Sequence, residues 1–245
     1  MREGRWVDLG RMRYAPCFEL QRKLLEGVVG GSEAPTLLFV EHEPVLSLGA
    51  GFHEENLLLS REEYARRGIE VLPTDRGGDV TFHGPNQLVA YPIFPLAWVD
   101  QDLHRWMRTL EESVIVALRD FGLKGERFPP LTGVWVGGRK VCAIGIKVRR
   151  WVSMHGLALN CNNDLSPFDL IVPCGIQGYS VTSVSRESGR ELTTQQARES
   201  LLLAFEGLLN VSLEEEGREA LLIRLLGETQ ASETLHEPPR LQHLP

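Results

Sequence analysis

Apolar residues recur at Leu20, Leu24, Leu25 and Val28 within FELQRKLLEGVVGG (18–31), a helical spacing that ends in glycines. A longer apolar face at Met107, Leu110, Val114, Leu118 and Phe121 predicts a helix within 101–122, with Asp102 placed to cap it and Gly122 to end it. PTLLFVEHEPVLSLG (35–49) reads as a buried strand, a turn at Glu43–Pro44 and a short second strand. EEYARRG predicts a short helix leading into IEVLP, and DVTFHGPNQLVAYPI (79–93) predicts two strands joined at Gly84–Pro85. The block GVWVGGRKVCAIGIKVRRWVSMHGLALN is strand-rich, with a hairpin at Gly137–Gly138 and a second reversal around Arg149–Arg150. Helices follow at about 193–209 and 214–226. Residues 229–245 lack periodicity and read as a disordered tail.

Neither an internal repeat nor a linker separates the strand-rich blocks. One α+β domain over 1–228 is expected, with a mixed or antiparallel sheet and flanking helices. At 245 residues the chain can bury a substantial core, and 42% hydrophobic with 24% charged residues is ordinary for a soluble domain. No run approaches a membrane span, and MREGRWVDLG lacks the apolar stretch of a secretory signal, so cytoplasmic residence is expected. A net charge of −7 argues against a general nucleic-acid binder. Within that acidic total, RKVCAIGIKVRRW (139–151) carries only cations, which suggests either a docking surface for an acidic partner around Lys147, Arg149 and Arg150 or a solvated hairpin rim.

The four cysteines, Cys17, Cys142, Cys161 and Cys174, form no C-x-x-C pair, so zinc and thioredoxin-type readings fail. Cys142 reads as core, Cys17 as structural, and Cys161 has no partner residue type to argue for it. Cys174 is different. IVPCGI (171–176) sets it between a proline that fixes its own φ and a glycine that permits close backbone approach, which reads as a cysteine held at a strand end, either for chemistry or as part of a turn.

RGGDVTFHGPNQ (76–87) is a second unusual stretch. Its paired glycines before a β-prone run read as a plain turn or as a place where something approaches the backbone; Arg76 could bind an anion and His83 could donate a proton. Ala143, Gly145, Gly156 and Ala158 remove bulk at spacing two on neighbouring strands. That leaves either a groove for an extended ligand or close packing of a helix on the sheet.

The ordered combination R-G-G-x-x-T-x-H-G-P, G-x-K-V-x-A-I-G, H-G-L-A-L-N, D-L-S-P-F and P-C-G resembles the lipoyl(octanoyl) transferases over about 35–210. The resemblance implies a fold shared with the catalytic domains of lipoate and biotin protein ligases. It implies transfer of an octanoyl group from octanoyl-acyl carrier protein to the lipoyl-domain lysine of 2-oxoacid dehydrogenases and the glycine cleavage H protein, through a thioester on the enzyme. No ATP, metal or other cofactor is implied. The nucleophile maps to Cys174 and its dyad lysine to Lys140. The acyl-binding backbone maps to Arg76, Gly77, Gly78, Asp79, Val80, Thr81, Phe82 and His83, to Ala143, Ile144 and Gly145, and to Gly156, Leu157 and Ala158. His155 flanks this groove and is counted with it. Asn86 stands where the family usually has glycine, and asparagine tolerates the left-handed region better than most residues.

Lys147 is the rival for the dyad. Seven positions separate it from Lys140, so an unbulged strand would point the two to opposite faces, and a bulge would undo this. Other readings remain beside the transferase: an ATP-dependent lipoate or biotin ligase, a non-catalytic acyl- or carrier-binding protein, and a hydrolase using a Cys174–His83 dyad.

Overall fold

The computed structural model describes residues 1–172 and 180–236. In chain order its elements are β1 (Arg2–Met12), α1 (Tyr14–Gly30), β2 (Thr36–His42), β3 (Val45–Leu48), α2 (Arg61–Arg66), β4 (Glu70–Pro73), β5 (Val80–His83) and β6 (Gln87–Ile93). Then come α3 (Leu103–Arg119), β7 (Glu126–Phe128), β8 (Leu131–Val136), β9 (Arg139–Arg149), β10 (Val152–Asn160), α4 (Val184–Ser188), α5 (Thr194–Leu209), β11 (Val211–Glu215), α6 (Arg218–Leu226) and α7 (Glu228–His236).

Among the described residues, one sheet of eight strands runs in the order β11-β1-β2-β6-β10-β9-β8-β7, and a three-stranded sheet runs β4-β3-β5. The large sheet is mixed: β1 is parallel to β2 and β11, while β2, β6, β10, β9 and β8 pair antiparallel. α3 and α5 cover one face around Phe94, Trp106, Leu118 and Phe205, and α1 with α6 covers the other around Leu20, Leu24, Met154 and Leu222. The small sheet has its own core of Leu46, Tyr64, Val80, Phe82 and Phe168. The expected strand pairs at 35–49 and 79–93 are present, and each hands the chain between the two sheets.

Local signals explain several boundaries. Asp102 caps α3 by accepting from Arg105 N at 3.0 Å, and Ser60 with Glu63 forms a capping box on α2. Gly137 and Gly138, both at positive φ, make the two-residue turn between β8 and β9. The second reversal falls one residue later than expected, at Arg150–Trp151. Asn86 adopts φ 62° and donates its N–H to Glu41 Oε2 at 2.8 Å, so the bend is made with asparagine in glycine's place.

The tail expectation is corrected over 229–236, where α7 buries Ala231 against the α1–α6 layer. Its helix packs by tertiary contact rather than by a strong repeat of its own. Residues 237–245 lie outside the described residues.

Candidate active site

The loop between β4 and β5 crosses the large sheet and roofs a groove. Gly77 N donates to Ile146 O at 2.8 Å, and Ala50 N donates to Arg76 O at 2.8 Å. A Cβ on Gly145 would sit 2.7 Å from Gly77 O, and one on Gly156 would sit 2.1 Å from Ala90 O. These glycines therefore permit close backbone packing, of a loop and a neighbouring strand rather than of a helix. The space left beside them is a cavity of about 460 Å³, counted to its open mouth.

Arg76, Gly77, Gly78, Thr81, His83, Ala143, Ile144, Gly145, His155, Gly156, Leu157 and Ala158 all line this cavity. Asp79, Val80 and Phe82 do not. Strand alternation turns Val80 and Phe82 into the small sheet's core. Asp79 accepts from Asn56 Nδ2 at 2.7 Å, His53 Nδ1 at 3.1 Å and Val80 N at 2.7 Å, which fastens the 51–57 loop. Sequence reasoning missed Tyr14, Val89 and Tyr91, which complete the wall. Alternation along β6 was an available signal, since Val89 pairs with Ala158. Tyr14, at the start of α1, carried none.

The polar wall consists of tyrosine and histidine rings and one buried cation. Arg76 donates through Nε to Ser47 Oγ at 3.1 Å, to Gly77 O at 3.1 Å and to Ser47 O. Its guanidinium clamps backbone to backbone across the roof. His83 meets Ser47 Oγ at 3.1 Å through Nε2 and Gln87 Oε1 at 2.9 Å through Nδ1. Burial, then the neighbouring His42 and Arg76, holds its pKa well below the usual imidazole range. Ser47 Oγ occupies the Nε2 lone pair that a thiol's base would use, an arrangement that does not favour the hydrolase reading. Tyr91 donates to His42 Nε2 at 2.8 Å and His42 Nδ1 donates to Met12 O at 3.0 Å; burial lowers the His42 pKa to about 4.

His155 adopts φ 57°, which turns its ring toward α1, where it stacks on Phe18 at 5.3 Å. Its Nε2 donates to Asp75 Oδ1 at 2.7 Å, and Lys147 donates to Asp75 Oδ2 at 2.6 Å. These partners, His155 first, hold the Asp75 carboxyl well below the usual range. The cations at 147–150 are largely answered: Lys147 by Asp75 and Arg149 by Glu26, with Arg150 exposed at the turn. The local charge that suggested a docking surface there is mostly neutralised within the chain.

The parity expectation for Lys140 and Lys147 is overturned. Between Val134/Trp135 on β8 and Cys142/Lys140 on β9 the register shifts by one, so Val141 is a bulge. Val141 and Cys142 both enter the main core, whereas Lys140 lies over the Trp135 ring with Nζ 5.0 Å from its centroid. Lys140 and Lys147 thus share a face. What separates them is environment: Lys140 is 9% exposed, while Lys147 is half-exposed and occupied by Asp75. Lys140 lines a second, open cavity of about 880 Å³, which shares Gly77, Gly78, Ile144 and Gly145 with the groove.

Cys174 lies outside the described residues, but both flanks are fixed. Val172 N donates to Asn56 O at 2.9 Å. On the far side, Lys140 N donates to Ser180 O and Thr182 N to Lys140 O, both at 2.9 Å. Cys17, Cys142 and Cys161 are buried, and burial raises each thiol pKa, that of Cys161 to about 12. None of those three is a ready nucleophile. Among the described residues, no helix is long and apolar enough to cross a membrane.

Sequence and fold both resemble those of known proteins. Residues 13–206 match the model for the lipoyl protein ligase A/B catalytic domain. The chain is 48% identical to the octanoyltransferase of Rubrobacter xylanophilus over 202 residues, 82% of this chain and 90% of that one. It is 43% identical to the octanoyltransferase of Geobacter sulfurreducens over 234 residues, 95% of this chain and 97% of that one. In fold it resembles a chain from the structure of a bipartite lipoate protein ligase and its E2 lipoyl domain from Thermoplasma acidophilum, with TM-score 0.67 and 18% identity, covering 95% of this chain and 94% of that one. A sheet that carries a glycine-lined groove, a buried lysine at its side and this extent of identity lead to one conclusion: the chain belongs to the lipoyl protein ligase A/B catalytic-domain family.

Proposed function

We propose that the chain transfers an octanoyl group from octanoyl-acyl carrier protein to the lipoyl-domain lysine of lipoate-dependent enzymes, through a thioester on Cys174. Lys140 is the partner of that cysteine. One observation carries the reading: the roofed groove adjoins a cavity lined by Lys140, whose own backbone is hydrogen-bonded to Ser180 and Thr182, a few residues after the P-C-G sequence. Relatives of 43–48% identity named octanoyltransferase support the same chemistry.

The groove takes the alkyl chain along backbone and small side chains, and its neutral aromatic wall suits an apolar guest. The Lys140 ammonium stabilises the Cys174 thiolate by charge. The thiolate attacks the thioester carbonyl, the bond from carbon to the carrier's sulfur breaks, and that sulfur leaves with a proton from Lys140. The acceptor arrives as an ammonium, gives one proton to water, and on attack gives a second to the now neutral Lys140. The amide forms and Cys174 leaves as thiolate. A thioester exchanges for a thioester, so no ATP is needed, and neither a metal nor another cofactor enters the cycle.

The acceptors in this reading are the lipoyl domains of 2-oxoacid dehydrogenases and the glycine cleavage H protein. The work is cytoplasmic and involves neither nucleic acid nor membrane. The test is turnover with octanoyl-acyl carrier protein and apo-lipoyl domain without ATP, followed by intact-mass detection of the octanoyl-enzyme. Wild type is expected to show both and Cys174→Ala neither. A strict ATP requirement overturns the reading in favour of a ligase, and an octanoyl adduct on Cys174→Ala overturns the nucleophile.

A further inference from the structure

A buried chain of side-chain hydrogen bonds runs from the groove's roof to the strand of Lys140, and its polarity is fixed from both ends. At one end Arg76 Nε, which can only donate, meets Ser47 Oγ at 3.1 Å. At the other end Thr182 O, which can only accept, meets Asn160 Nδ2 at 2.9 Å. Asn160 must therefore present Oδ1 to Gln87 Nε2, 2.9 Å away. Gln87 Nε2 also donates to Phe82 O at 3.2 Å, so Gln87 presents Oε1 to His83 Nδ1 at 2.9 Å. His83 then carries its proton on Nδ1, and its Nε2 lone pair accepts from Ser47 Oγ at 3.1 Å. Read from either end, the assignment of donors and acceptors is the same. Ser47, His83, Gln87, Asn160 and Thr182 are all buried, so a reversed or broken link would leave polar groups unpaired away from water.

The chain does not stop at Thr182. Its N–H donates to Lys140 O at 2.9 Å, and its hydroxyl donates to Glu187, which also receives Arg139 at 2.6 and 2.8 Å. Arg139 and Lys140 are thus held from the segment that carries Thr182, and that segment is held by Asn160.

We propose that Gln87 and Asn160 are positioning residues for the transfer reaction: they fix the strand of Lys140 against the acyl groove and lock His83 as the neutral Nδ1–H tautomer. Neither side chain lines the groove, so neither touches the acyl chain. The inference rests on the transferase reading for its kinetic consequence, but its tautomer consequence stands without it.

Two isosteric changes test it. Asn160→Asp keeps the acceptor toward Gln87 and removes the donor to Thr182 O. In a protein whose thermal melt stays cooperative, kcat is expected to fall on the order of 10²-fold, the scale of a small misplacement of reacting groups, with KM for octanoyl-acyl carrier protein nearly unchanged. Asn163→Ala is the control, because Asn163 donates to Asn160 Oδ1 at 3.2 Å from outside the chain of bonds; its kcat is expected to stay within a few-fold of wild type. Should Asn160→Asp fail to fold, ring ¹⁵N chemical shifts of His83 decide. Wild type is expected to show the Nδ1–H tautomer across neutral pH, and Gln87→Glu to draw a second proton onto the ring. A wild-type Nε2–H tautomer, or a folded Asn160→Asp protein with unchanged kcat, overturns the proposal. Absence of any transfer by wild type would overturn the transferase reading while leaving the tautomer result standing.

Discussion

Lys140 lies over the indole of Trp135, its Nζ 5.0 Å from the ring centroid, across a register shift that makes Val141 a bulge. The ring supplies an attractive electrostatic face for the ammonium and restricts where the side chain can swing. Trp135→Leu is expected to lower kcat several-fold, with Lys140 still present but less confined. It should leave the octanoyl donor's KM near wild type, as measured by steady-state transfer. An unchanged kcat would mean that the ring only fills space.

Gly145 packs against the roof and Gly156 against a neighbouring strand. Gly145→Ala pushes a methyl toward Gly77 O, so the roof must lift and the KM for octanoyl donors is expected to rise. Gly156→Ala drives a methyl into Ala90 O inside the sheet, which the strands cannot easily relieve. That change is expected to destabilise the fold by about 1–3 kcal/mol in urea unfolding. The reverse pattern would place the roof elsewhere.

Asp75 ties the start of the roof loop to His155 and Lys147. Its pKa is lower folded than unfolded, so its contribution is full above the unfolded value of roughly 3.9 and is lost as pH falls through the folded one. Asp75→Asn is therefore expected to lower Tm near neutral pH, and the gap to wild type should close in strong acid. A gap that does not change with pH would assign the loss to packing alone.

His42 works with the same sign at a different pH. Burial holds it neutral, with a folded pKa of about 4 against an ordinary 6.5, so the unfolded chain binds more protons between those values. Stability is expected to fall as pH drops from 6.5 toward 4, by about 3 kcal/mol for this group. His42→Gln should flatten that part of the stability–pH curve, as followed by chemical denaturation at each pH.

The sequence was most informative where residue type and local geometry coincide. Paired glycines at 77–78, the small residues of β9 and β10, and the cap at Asp102 each act within a few positions of where they are read. β1 was missed because REGRWVDLGRM is too polar to read as a strand; its partners, β2 and β11, come from distant chain. β11 was missed for the same reason, and its last two residues overlap the helix expected at 214–226. Val141 looked like one more strand residue, yet its bulge reverses the side-chain parity of everything before it. Tyr14 reaches the groove only because α1 lies against β6 and β10, a packing that no local pattern announces.

Arg76 grips Ser47 of the small sheet while Gly77 bonds to Ile146 of the large one, so the ceiling over the groove is tethered on both sides. A guest entering such a slot meets a wall already in its final shape, and little ordering cost is subtracted from its affinity. Amide exchange at Gly77, whose N–H is bonded to Ile146 O, is accordingly expected to be slow in the empty protein and scarcely slower once an alkyl chain is in place.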